Sequence, residues 1–92
     1  MTEVVTSRNG VSIRLTDEHA ELAGRRLDVL EAVSDAERIV AGTAGEMLAL
    51  RIQPDGKTLV TVYREDLDDG FIITAFLTRR AATLNRRKQL WP

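Results

Sequence analysis

The chain has no cysteine and a single histidine, His19, among its 92 residues. Disulfide staples, a thiol nucleophile and cysteine-ligated metal are therefore excluded, and one histidine is too few for an ordinary protein zinc site. No apolar run approaches the roughly 18 residues of a membrane span. Nothing in the chain has the pattern of a signal peptide, so the expectation is a cytoplasmic protein with no membrane partner. Other site patterns are missing too. Gly42 and Gly45 are spaced like part of a phosphate loop but lack its Lys and Ser/Thr, and read as a turn. Ser7, Ser12 and Ser34 lie in no nucleophile elbow that His19 might serve. Asp66, Asp68 and Asp69 do not have the spacing of a calcium loop and read as turn acids. The residues suggest neither a metal nor a cofactor.

What is present reads as one domain, residues 1–92, large enough for a modest core. Gly70 to Thr78 is its clearest element, a β-branched and aromatic run entered through Asp68-Asp69-Gly70, a turn signal. As a strand it puts Phe71, Ile73, Ala75 and Leu77 on one face and Ile72, Thr74, Phe76 and Thr78 on the other. Charge is uneven around it. All 14 acids fall in residues 1–69, whereas residues 79–92 hold Arg79, Arg80, Arg86, Arg87 and Lys88 and no acid. Such a tail suits phosphate binding. It equally suits the C-terminal end of a last helix, or docking on the acidic body.

In chain order, Val4 to Ser7 and Val11 to Leu15 predict strands around an Asn9-Gly10 turn. Thr16 can cap a helix over about residues 17–33, with Leu22, Ala23, Leu27, Leu30 and Val33 as its apolar stripe. Gly24 weakens it, by roughly 1 kcal/mol against alanine. Ser34 to Glu37 resembles a capping box and predicts one turn before Ile39-Val40. Three runs then predict a meander: Met47–Gln53, Thr58–Glu65 and Gly70–Thr78, with Pro54-Asp55-Gly56 as one turn. Residues 79–90 predict a second helix carrying Ala81, Ala82, Leu84 and Leu90, with Trp91 anchoring the terminus. If the first helix covers the face of Leu48, Leu50, Ile52, Val60, Val62, Ile73, Ala75 and Leu77, the opposite face gathers Arg51, Thr61, Tyr63, Thr74 and Thr78. That is either a site wall or the ordinary solvated face of an antiparallel sheet.

The chemistry open to these residues is metal-free acid–base work on a phosphodiester, since RNA carries its own nucleophile in the 2′-hydroxyl. Such a site needs a base, a cation and orienting donors. His19 would be the base and Arg51 the bidentate phosphate ligand, with Tyr63, Thr74 and Thr78 orienting or relaying protons. Each has a plain structural reading as well: a surface histidine, a sheet-face ion pair, and threonines chosen for strand propensity.

Five stretches carry a resemblance: His19-Ala-Glu-Leu-Ala-Gly, Val29-Leu-Glu-Ala-Val, Glu46-Met-Leu-Ala-Leu-Arg51, Val62-Tyr-Arg64 and Asp69-Gly-Phe-Ile-Ile-Thr-Ala-Phe-Leu-Thr78. With a basic segment ending in Leu90-Trp91, they resemble small bacterial and phage proteins grouped with the barnase, EndoU, colicin and RelE metal-independent ribonucleases. The resemblance spans roughly residues 11–91. It implies a RelE-like α+β fold, an N-terminal helix on a mostly antiparallel sheet of about four strands with a basic C-terminal helix. It also implies a histidine on the first helix (His19), basic residues on middle strands (Arg51, Arg64) and a hydroxyl on the last strand (Thr74 or Thr78). The chain departs from those proteins where Ala20 replaces a proline after His19. The expectation is a toxin-type RNA endonuclease that leaves a 2′,3′-cyclic phosphate, or an RNA-binding relative without that activity. Arg64, Arg79, Arg80, Arg86, Arg87 and Lys88 would contact RNA. The alternative is a non-catalytic interaction module that pairs with a protein such as an antitoxin, or with itself as an oligomer.

Overall fold

A computed structural model describes residues 3–15, 26–67 and 69–92 of the chain. The elements are β1 (Glu3–Thr6), β2 (Ser12–Leu15), α1 (Arg26–Ser34), β3 (Arg38–Ala41), β4 (Met47–Ile52), β5 (Thr58–Asp66), β6 (Asp69–Thr78), α2 (Ala81–Asn85) and β7 (Gln89–Trp91). All seven strands join one sheet in the order β1-β2-β6-β5-β4-β3-β7. Only β2 and β6 run parallel; the other neighbours are antiparallel.

Local sequence explains the tightest points. Gly10 takes a φ of 81° in the β1–β2 turn, where its N–H donates to the Ser7 carbonyl at 2.9 Å. Gly70 lies opposite Ile13 in the parallel β2–β6 pair. A Cβ there would collide with the Arg64 carbonyl and the Ile13 side chain, so glycine is what lets β2 come alongside.

Two apolar clusters sandwich the sheet. On one face Val29, Leu30 and Val33 of α1 meet Ile13, Leu15, Ile39, Ala49, Tyr63, Ile72 and Ala75. Fully burying such a side chain contributes roughly 1.5–3 kcal/mol, which holds α1 to the sheet. Thr61 is buried beneath it and its Oγ1 donates to the Val29 carbonyl at 3.2 Å. On the other face Val40, Leu48, Leu50 and Val60 take Leu84 from α2.

The expected four-stranded sheet between two helices is overturned. The sheet is seven-stranded and mixed, and the described helical residues are nine in α1 and five in α2. The tail is not helical over residues 79–90. Past Asn85 it extends as β7, with Trp91 opposite Ile39 and the Ala41 N–H donating to the Lys88 carbonyl at 2.8 Å. Residues 86–88 offer a helix no apolar stripe, and pairing with the open edge of β3 satisfies their backbone instead. The first helix is described only from Arg26, so the predicted cap at Thr16, His19 and the Gly24 position lie outside the described residues.

The face assignment is corrected as well. α1 covers the face of Ala49, Thr61 and Tyr63, not that of Leu48, Leu50 and Val60. Residues 48–50 and 58–61 are buried without a break, because both faces are covered there, and an unbroken buried run hides which side the helix takes. A bulge shifts the β5–β6 register between Val62 and Tyr63, where Val62 opposes Thr74 and Tyr63 opposes Ile72. Strict alternation along β6 therefore fails at Ile73.

Candidate nucleic-acid interface

The sheet register separates the sequence-derived site residues into two groups. Arg51 pairs with Leu59 and Tyr63 with Met47 and Ile72, which places both on the α1 face. Thr74 pairs with Val62 and Thr78 with Thr58, which places both threonines on the opposite face. A single phosphate cannot touch Arg51 and Thr74 together.

On the α1 face Arg51 is already engaged. Its Nη1 donates to the Asp35 carbonyl at 2.7 Å and to Asp35 Oδ2 at 2.9 Å, while Nη2 meets Glu31 Oε1 at 2.9 Å. Arg8 approaches from the β1–β2 turn, its Nη2 donating to Asp35 Oδ1 and the Ala36 carbonyl, both at 2.9 Å. Its guanidinium lies 4.3 Å from the centre of the Trp91 ring. Two cations thus close the C-terminal end of α1, where carbonyls and the helix dipole favour positive charge. Tyr63 is 0% exposed and its hydroxyl has no hydrogen-bond partner among the described residues. Burial, and secondarily the charge of Glu65, pushes its pKa well above the ordinary phenol value.

The opposite face is different in kind. Phe76 lies between Thr74 and Thr78 along β6 and remains 42% exposed in mid-sheet. Further along the same face Phe71 stands opposite Arg64. Arg64 Nη2 donates to the Ala44 carbonyl at 2.8 Å. The neighbouring Glu46 carboxyl is held below its usual range by backbone N–H groups of Ala44 and Glu46, helped by the charges of Arg64 and Arg87. Arg87 also donates from Nη1 to the Ala41 carbonyl at 3.3 Å. Thr78 Oγ1 accepts the Arg80 N–H at 3.0 Å, turning the chain out of β6. Arg79, Arg80, Arg86 and Lys88 are exposed and ion-pair with no described residue.

No family model, curated protein or solved structure matches this chain. The sequence places Arg64, Thr74, Thr78 and the basic tail in its candidate site and Phe76 on the Thr74 face without a role of its own, and it puts Phe71 on the other face, which the bulge corrects. The available signal was a phenylalanine between two threonines on a strand whose other face is apolar. Among the described residues no three His, Cys, Asp or Glu side chains gather as metal ligands, and no helix is long and apolar enough to cross a membrane.

Proposed function

We propose that the chain binds single-stranded RNA on the sheet face opposite α1. Exposed Phe76 carries this reading. An aromatic ring displayed in mid-strand between two hydroxyls, on a strand that runs out into Arg79 and Arg80, has the parts of a stacking platform with phosphate contacts. Phe71 offers a second ring, and Arg64 a guanidinium beside it. Thr74 and Thr78 supply hydroxyls for phosphate or 2′-hydroxyl oxygens. Arg51 and Tyr63 have no part in this surface. Cleavage through the 2′-hydroxyl is the further step that the ribonuclease resemblance suggests, and it would require His19 to reach Thr74 and Arg64.

Fluorescence anisotropy with a labelled mixed-sequence RNA tests the reading. Binding is expected to weaken as salt rises, with a log–log slope of about −0.7 per phosphate contact. Phe76→Ala is expected to cost about 1–3 kcal/mol of affinity, and Arg79→Ala with Arg80→Ala to flatten the salt slope. An absence of binding at low salt, or a Phe76→Ala protein that binds like the parent, would falsify it. Incubation of RNA with the protein in chelator, followed by analysis for 2′,3′-cyclic phosphate ends, separates cleavage from binding. If RNA is ignored and the protein self-associates through this face, it is an interaction surface instead.

A further inference from the structure

Between α2 and the face it covers lies a pocket of about 320 Å³. Leu50 and Ile52 of β4 and Ala81 of α2 supply apolar walls, and Thr58, Asn85 and Arg38 complete the lining. Arg38 stands opposite Leu50 in the β3–β4 register and so points to the same side of the sheet. Its Nε is buried and meets no acceptor among the described residues. The guanidinium forms no ion pair with a described residue. Glu37 also borders the pocket, but its Oε2 accepts the Ile52 N–H at 2.5 Å and does not pair with Arg38.

A buried donor without an acceptor costs free energy, and a ligand that supplies the acceptor recovers it. The planar fork of a guanidinium matches a carboxylate in two parallel hydrogen bonds. We propose that this pocket binds a small carboxylic acid with an unbranched apolar body, its carboxylate on Arg38 and its chain along Leu50, Ile52 and Ala81. The volume is at the lower end of the range for ligand pockets and fits roughly ten non-hydrogen atoms. That is the size of octanoate. Neither Phe76 nor Thr74 borders the pocket, so the inference stands apart from RNA binding.

Amide-resolved NMR titration with octanoate, with 1-octanol and inorganic phosphate as comparison probes, tests it. Octanoate is expected to give saturable shifts at Arg38, Leu50, Ile52 and Ala81–Asn85. Octanol lacks the charge and phosphate lacks the chain, so each should bind at least about tenfold more weakly. Arg38→Gln should lose about tenfold or more in octanoate affinity while keeping a dispersed spectrum, and Phe76→Ala should bind octanoate unchanged. Ala81→Leu, which fills the pocket and leaves Arg38 in place, is a second variant should Arg38→Gln not fold. Shifts that never saturate, octanol binding as tight as octanoate, or full affinity in a folded pocket variant would overturn the assignment.

Discussion

Tyr63 and Leu67 are each held in a costly state that predicts a stabilising substitution. The hydroxyl of Tyr63 is buried without a hydrogen-bond partner among the described residues. Leaving such a group unsatisfied costs about 1–3 kcal/mol, so Tyr63→Phe should raise stability by about 1 kcal/mol in urea unfolding near neutral pH. The same substitution has a pH signature. The folded pKa of Tyr63 is raised, so above the unfolded value of about 10 the unfolded chain releases a proton that the folded chain keeps. The parent should therefore lose stability as pH rises beyond about 10, approaching 1.4 kcal/mol per pH unit from this group, and Tyr63→Phe should remove that component. An unchanged alkaline slope would show that the phenol ionises equally in both states. Leu67 is the second residue. It is 99% exposed and holds a φ of 52° in the β5–β6 turn, a left-handed conformation that suits Asn or Gly. Leu67→Asn should raise the midpoint of thermal unfolding by a few degrees, corresponding to about 0.5–1 kcal/mol.

At the scale of elements, α2 is the weakest attachment. Five residues are too few to form a helix in isolation, and Leu84 is its one buried side chain. Leu84→Ala should cost about 2–3 kcal/mol and release α2 from the sheet. Hydrogen exchange should then accelerate across residues 81–91 before β4 or β5 is affected, and octanoate binding should disappear with the pocket. Uniform exchange throughout the chain would mean that α2 is no separate unit. The strands of the meander were legible in the sequence because their ends carry turn chemistry: Pro54-Asp55-Gly56 closes one hairpin and Asp69-Gly70 opens the next strand. β3 and β7 were not. Arg38 to Ala41 is only four residues long, and Gln89 to Trp91 is three, so neither gives a period by itself. β3 pairs with β4 on one side, but its pairing with β7 on the other joins segments about fifty residues apart, and only tertiary context reveals it. The candidate site divided in the same way. Thr74 and Thr78 share a face because the strand between them alternates regularly, whereas Arg51 and Tyr63 were misassigned because both sides of their strands are buried.

The whole molecule is a sheet whose two edges approach each other. β1 and β7 stand at opposite ends of the strand order, yet Arg8, just beyond β1, lies over the ring of Trp91 in β7. Val5, Val11 and Trp91 all pack against the one cluster under α1, so the sheet wraps that core and brings its ends together. Asp35 sits between Arg8 and Arg51 and ties this closure to the end of α1. Arg8→Ala should then cost about 1–2 kcal/mol and Trp91→Ala about 2–3 kcal/mol, from lost hydrogen bonds and lost burial respectively. The decisive quantity is their coupling. A cation over an aromatic face contributes about 0.5–1 kcal/mol at a partly exposed site, so the double substitution should cost less than the two singles combined by that amount. Arg51→Ala, which breaks the same network one step away, should lower stability by about 1 kcal/mol while leaving RNA affinity unchanged. If Arg8 and Trp91 prove strictly additive, the two edges are merely neighbours, and β7 is held by its pairing with β3 alone.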